Sequence, residues 1–363
     1  MKATQTLHNL GQSIWLDNIT RDLLESGTLA RYIDEFSVTG LTSNPTIFDH
    51  AIKNSSAYDA AIRDKVSRGT SGEALFFELA LDDITRAAGL FRKVHERTEG
   101  VDGWVSLEVS PSLAYDTAAT LAAAKDLHRR AAQPNLYIKI PGTTEGLPAI
   151  EEAIFAGVPV NVTLLFSREQ YLAAAEAYLR GVERRVEAGL KPGIASVASV
   201  FISRWDTAVA GKVPAPLTNQ LGIAIAQRTY KAYRDLLNTD RWQRAFNSGA
   251  RPQRLLLAST GTKDPKASDI LYIKALAAPF TVNTMPENTL NALADHGEID
   301  GTLAADGGGC EEVLAAFAKA GIDVDALAAR LQEEGAKSFV ASWNDLMSVI
   351  ATKSAALEAA GAR

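Results

Sequence analysis

Lys139 stands alone in an apolar run, Leu136-Tyr137-Ile138-Lys139-Ile140-Pro141-Gly142, where a charged side chain has few places to go. An ionised amine taken out of water costs several kcal/mol unless it is paired, so a buried lysine either finds a partner or gives up its proton. An unprotonated amine attacks carbonyls, and the chemistry such a residue offers is Schiff-base formation. Two structural uses compete: the amine can snorkel past the strand end, or it can pair with a buried carboxylate. Lys274, in Leu271-Tyr272-Ile273-Lys274-Ala275-Leu276, has similar neighbours but follows a proline and helix-capping residues, and the apolar positions around it recur at helical spacing. That lysine is expected on a solvated helix face. Lys139 instead precedes Pro-Gly after a short β-rich run, the pattern of a strand that ends at a loop.

The elements that would position Lys139 recur along the chain. Eight β-rich runs are expected: 14–18, 38–44, 103–110, 136–140, 158–166, 194–201, 254–259 and 279–285. Between them lie alanine-, leucine- and charge-rich segments of helical spacing, such as 112–132, 167–188 and 217–237. This alternation reads as repeated βα units with a parallel sheet, and eight units suggest a closed (β/α)8 TIM barrel. At least two helical patterns occupy 45–100, and 287–363 is almost wholly helical in character. A barrel needs roughly 250 residues. The rest of the 363 is therefore expected as additional helices after strand 2 and as a C-terminal helical extension from about 287, within one catalytic domain spanning 1–363.

In such a barrel the strand C-termini carry the chemistry. Taken in order they present Asp17, Thr42 and Asn44, Glu108, Lys139, Asn161 and Thr163, Ser199, and Ser259. Each has an alternative use as a helix cap or a satisfied core hydrogen bond, above all Asn44 before Pro45 and Asp17 before Thr20. Their convergence with a buried lysine is the stronger signal. Arg204 and Lys263, in the loops after runs six and seven, add positive charge in the sector where barrels often hold phosphate. A phosphorylated carbonyl compound is the substrate class this suggests, and an Arg204–Asp206 surface pair is the competing use of the arginine.

Composition narrows the field. With 47% hydrophobic and 22% charged residues the chain can bury a large core, and its formal charge of −6 argues against a nucleic-acid-binding surface. The single cysteine, Cys310, excludes an intrachain disulfide and a Cys-based zinc cluster. The five histidines fall outside the strand ends, which disfavours a His-ligated catalytic metal. The start of the chain lacks a signal-peptide core and no eighteen apolar residues run together, so no membrane is involved and a cytoplasmic location is expected. Asp306-Gly307-Gly308-Gly309 resembles a phosphate loop, but Glu311 and Glu312 open the next helix and would repel an anion, so it reads as a connector. No dinucleotide or P-loop motif is present, and no cofactor is expected.

Several motifs in one order carry a resemblance that runs from about Ile14 to the C-terminal helix. They are Gly40-Leu41-Thr42-Ser43-Asn44-Pro45-Thr46-Ile47-Phe48, Ile138-Lys139-Ile140-Pro141, Asn161-Val162-Thr163-Leu164-Leu165-Phe166-Ser167 and Val282-Asn283-Thr284-Met285-Pro286. Together they resemble the transaldolase family. The resemblance implies transfer of a dihydroxyacetone unit from sedoheptulose 7-phosphate or fructose 6-phosphate to an aldose phosphate in the pentose phosphate pathway. It implies Lys139 as the Schiff-base lysine, Asp17 as the acid/base group of C–C cleavage, and Glu108 with Thr163 as holders of a proton-relaying water. Thr42, Asn44, Asn161 and Ser199 would hold the substrate, with Asn44, Asn161 and Ser199 on the dihydroxyacetone hydroxyls, and Arg204 and Ser259 would hold the phosphate. Phe201 matches a position that keeps water ordered near the lysine, with plain core packing as its alternative. One departure stands out: many family members have an arginine two residues beyond the seventh-strand serine, where this chain has Gly261, and Lys263 is the expected substitute. The rival activities are a fructose 6-phosphate aldolase of the same family and a non-catalytic barrel that binds sugar phosphates. Phosphorylated sugars are the expected partners, and the assembly is expected as a monomer or homodimer, with the C-terminal helices either covering the cavity mouth or forming a dimer contact.

Overall fold

A computed structural model describes residues 1–361; the last two positions of the expected C-terminal extension, 362 and 363, lie outside the described residues. Eight strands form a closed parallel barrel in chain order: β1 (Gln12–Asp17), β2 (Val38–Thr42), β3 (Trp104–Glu108), β4 (Leu136–Pro141), β5 (Val160–Leu165), β6 (Ser196–Phe201), β7 (Gln253–Ala258) and β8 (Thr281–Met285). The barrel is therefore the (β/α)8 architecture read from the sequence. No boundary moved by more than two residues. The run expected to end at Asn44 stops at Thr42, because Asn44 leaves the ladder to cap the following helix through its side-chain oxygen, which accepts from Ile47 N at 3.0 Å.

The strands are buried on both faces, as expected of a parallel sheet wrapped by helices. The segment between β2 and β3 folds into three helices, Pro45–Asn54, Asp59–Ser67 and Gly72–Arg97, one more than the minimum expected. After β8 come Glu287–His296, Cys310–Lys319 and the long helix Val324–Gly361, with 297–309 non-helical. All five histidines lie on helices. Lys274 sits on the helix Leu271–Ala275 with its side chain exposed, paired with Asp300 at 2.5 Å. Among the described residues no helix is long and apolar enough to cross a membrane.

Near the strand N-termini an aromatic layer fills the barrel. Tyr137 stacks on Trp104 with ring centroids 4.2 Å apart and lies 6.0 Å from Trp15. The indole of Trp15 donates to buried Asp102 at 2.8 Å. Gly40 makes room for that indole: a Cβ there would lie 2.5 Å from the ring, closer than any real contact.

Candidate active site

Strand register sets the site. Glu108, Lys139 and Asn161 are direct Cα partners across β3, β4 and β5, so these side chains stand at one level on one face. Asp17 is likewise paired with Thr42 across β1 and β2. The amine of Lys139 is 3.3 Å from Glu108 Oε2 and donates to the Ser43 carbonyl at 3.0 Å. Both side chains of the pair are almost fully buried, at 6% and 3% exposure. The buried lysine has thus found a carboxylate. The ion pair is not aligned as a hydrogen bond, and both Glu108 oxygens and the Thr163 hydroxyl make no hydrogen bond within the protein. Buried polar atoms left this way retain hydrogen-bonding capacity for a small guest. A gap of about 10 Å³, the lower limit of what one water needs, is bordered by Ser43, Asn44, Glu108 and Trp343.

Burial pushes the Glu108 carboxyl above the usual carboxylate range, against the pull of the Lys139 charge. A carboxylate with raised proton affinity beside an amine is suited to take a proton from it and to return one later. Asp17 is partly exposed and accepts from Thr42 Oγ1 at 2.7 Å, while Thr42 Oγ1 is also 2.7 Å from Thr284 Oγ1. Each hydroxyl has one hydrogen, so Thr284 donates to Thr42 and Thr42 to Asp17. The capping use open to Asp17 in the sequence falls to Thr20, whose side chain accepts from Leu23 N.

On the other side of Lys139, Asn161 Oδ1 accepts from Ser199 Oγ at 2.7 Å and its amide donates to Ser106 Oγ at 3.2 Å. A serine hydroxyl on either side holds that amide in place. Ser259 holds a left-handed backbone (φ 55°); its hydroxyl lies 2.9 Å from that of Ser203, and its carbonyl accepts from Ser203 N at 3.0 Å. These contacts tie the loop after β7 to the first turn of the helix Ser203–Val209, which carries Arg204 where the sequence suggested a loop. The Arg204 guanidinium lies between two rings, 4.9 Å from Phe201 and 5.6 Å from Phe339. Burial lowers its pKa, with Asp17 and Glu108 acting in the opposite sense. The alternative pairing with Asp206 does not occur: Asp206 is buried and accepts from Leu221 N, Gly222 N and the Tyr272 hydroxyl.

Not every expected residue converges. Asn44 spends its side-chain oxygen on its own helix, leaving only the amide to reach inward. Phe201 packs on Phe166 at 5.4 Å as well as under Arg204, so it is both core and support. Lys263 is exposed in the loop after β7. At Gly261, where the resemblance led to the expectation of an arginine, a Cβ would meet Pro286 at 3.1 Å, so the β8 rim crowds the position.

Other contributors escaped the sequence. Ser43, Ser106 and Thr284 supply hydrogen bonds at the rim; Ser106 could have been found by strand alternation, two residues before Glu108. Gln332 and Phe339 come from the helix Val324–Gly361, remote in sequence. The amide of Gln332 donates to the carbonyls of Gly142 and Leu164 at 3.0 and 2.9 Å, clamping this helix over the ends of β4 and β5. Of the two uses open to the C-terminal helices, covering the strand ends is the one this contact serves.

Residues 14–350 match the family described as Transaldolase/Fructose-6-phosphate aldolase. Among curated relatives, a Transaldolase of Thermobifida fusca is 45% identical over 361 residues, covering 97% of this chain and 98% of that protein. A Transaldolase of Mycolicibacterium smegmatis is 43% identical, with 93% of each chain covered. Together with the closed barrel and the buried Lys139–Glu108 pair, these matches show that the chain belongs to the transaldolase/fructose-6-phosphate aldolase family.

Proposed function

We infer that the chain is a transaldolase, carrying a dihydroxyacetone unit from sedoheptulose 7-phosphate or fructose 6-phosphate to glyceraldehyde 3-phosphate or erythrose 4-phosphate through an imine on Lys139. The observation that carries this reading is the buried amine 3.3 Å from a carboxylate of raised proton affinity, at the same barrel level as Asn161. Glu108 takes a proton from the Lys139 ammonium, and the freed lone pair attacks C2 of the ketose. The carbinolamine hydroxyl leaves as water with the proton that Glu108 returns, and Thr163 holds that water. The protonated imine then draws electrons from the C3–C4 bond as Asp17 removes the C4 hydroxyl proton, and the aldose phosphate departs. The remaining enamine attacks the acceptor aldehyde, Asp17 returns its proton to the new alkoxide, and hydrolysis frees Lys139.

Asn161 and Ser199, already bonded to each other, hold the dihydroxyacetone hydroxyls with Thr42 and the Asn44 amide. Arg204 and Ser259 hold the phosphate, and Phe201 with Phe339 keeps the guanidinium from swinging away. The helices beyond about residue 287 belong to the same catalytic domain in this reading, since Gln332 and Phe339 complete its rim. The naming of the relatives favours transfer over release of free dihydroxyacetone, and an assay for free dihydroxyacetone without acceptor separates the two.

Borohydride reduction in the presence of fructose 6-phosphate tests the central step. A dihydroxyacetone-sized adduct mapped to Lys139 is expected; no adduct on folded protein with intact sugar would overturn the imine. A second expectation concerns Lys263. Its exposed position beyond Gly261 suits a long-range contact with the substrate phosphate, so Lys263→Ala should raise KM for phosphorylated substrates several-fold, about 3- to 10-fold, with kcat little changed. Equal loss in kcat and kcat/KM would remove Lys263 from phosphate binding.

A further inference from the structure

At the end of the barrel away from Lys139, where the strands begin, lies a cavity of about 710 Å³ bordered by Ser13 of β1, Tyr137 of β4, Ser196 of β6 and Arg254 of β7. That size suits a small organic molecule. The layer of Trp15, Tyr137 and Trp104 stands between it and the barrel level that carries Glu108, Lys139 and Asn161.

Its walls are aromatic and aliphatic, with Tyr137, Tyr233, Leu237, Phe246 and Phe280 among them. Phe246 and Phe280 are 54% and 62% exposed. Phe280 is also held at φ +63°, a conformation that a bulky residue rarely adopts. Its N–H donates to the Gly11 carbonyl at 2.9 Å and its carbonyl accepts from the Tyr233 hydroxyl at 3.0 Å. Core packing does not account for an aromatic ring that the backbone presents to solvent at a cavity rim.

Three arginines line the same cavity. Arg254 is committed: it donates to the Ser13 hydroxyl at 2.6 Å and to the carbonyls of Thr281 and Val101, and Ser13 in turn bonds Asp102, the one carboxylate on the wall. Arg251 donates to the Glu99 carbonyl at 2.6 Å, and Arg234 to the Tyr230 hydroxyl at 3.2 Å while lying 5.3 Å from the Phe280 ring. Among the described residues neither Arg234 nor Arg251 has a carboxylate partner, although the surface elsewhere pairs arginines freely, as at Arg184 and Arg241. An apolar chamber with two uncompensated guanidinium groups is complementary to a molecule with an apolar body and one negative head.

We propose that this cavity is a second binding site, for an amphipathic organic anion. A carboxylate or sulfonate head meets Arg234 and Arg251, and an aromatic or branched aliphatic body lies against Tyr233, Phe246 and Phe280. The site does not involve Lys139 and stands whether or not the chain transfers dihydroxyacetone.

The test is a fluorescence titration of the full chain with 8-anilinonaphthalene-1-sulfonate. Saturable one-to-one binding is expected, unaffected by saturating fructose 6-phosphate and not displaced by millimolar inorganic phosphate. Arg234→Gln and Arg251→Gln should each weaken binding about tenfold, and Phe246→Ser at least as much, with the thermal midpoint unchanged. Because Phe246 is largely exposed, its replacement reports on the cavity rather than on folding. Non-saturable binding, indifference to all three substitutions, displacement by fructose 6-phosphate, or displacement by phosphate alone would overturn the proposal. So would a dimer in sedimentation that Phe246→Ser dissociates, since a second copy would then occupy this face.

Discussion

Replacing Lys139 with methionine is expected to lower turnover of fructose 6-phosphate with an aldose acceptor by more than about 10⁴-fold and to abolish the borohydride adduct. Methionine nearly matches the volume of the lysine stem, so the cavity keeps its shape while the nucleophile is gone. The substitution also strips Glu108 of its cation, and an unpaired buried charge costs about 3–5 kcal/mol. Glu108 avoids part of that cost because burial already raises its pKa, and without Lys139 only the weaker pull of the Arg204 charge opposes the shift. A carboxyl whose folded pKa exceeds its unfolded value holds a proton that the unfolded chain has released, so stability falls as pH rises from the ordinary carboxylate value to the raised one. The Lys139→Met protein should therefore lose more thermal stability relative to the parent at pH 8 than at pH 5. Adding Glu108→Gln should restore much of that stability and none of the activity. A single variant equally stable at both pH values would show that the carboxylate is compensated elsewhere, and retained turnover would remove Lys139 from the chemistry.

How much of this was legible beforehand follows from which forces act locally. The barrel was, because eight β-rich runs alternating with helical patterns leave few arrangements that bury both faces of a parallel sheet. Lys139, Glu108 and Asn161 could be picked out because a polar residue in an apolar run is conspicuous, and register alone then brings them to one level. The fate of Asn44 was ambiguous, since an asparagine before proline serves equally well as a cap, and it does cap. Gln332, Gly335 and Phe339 carry no local signal. They matter because Val324–Gly361 crosses the rim, where Gly335 leaves space beside Arg204 and Leu164 for the helix to approach. The cavity at the strand N-termini was equally hidden: its arginines are scattered along 234–254 and read as ordinary surface charge until the fold leaves two of them without carboxylates.

Substituting Asp17 with asparagine is expected to separate imine formation from carbon–carbon cleavage. Thr284 donates to Thr42 and Thr42 to Asp17 Oδ1, so an asparagine amide is steered to place its oxygen on Thr42 and its NH₂ where the second carboxylate oxygen stood. Geometry is kept and basicity is lost. The steps that form the imine use Glu108, 3.3 Å from the amine, and should proceed. Removal of the C4 hydroxyl proton has no base, and general base catalysis of this kind contributes about 10²–10⁴-fold, so kcat should fall by that amount. The adduct distinguishes this from misfolding. In the parent protein, reduction traps the three-carbon unit after cleavage, whereas Asp17→Asn should accumulate the intact six-carbon phosphate on Lys139, visible as a larger mass on the same peptide. A three-carbon adduct from the variant would place the base elsewhere, and no adduct at all would assign Asp17 to imine formation. Either result would redraw the division of labour that the two carboxylates, one sealed beside the amine and one open beside a threonine pair, otherwise set out.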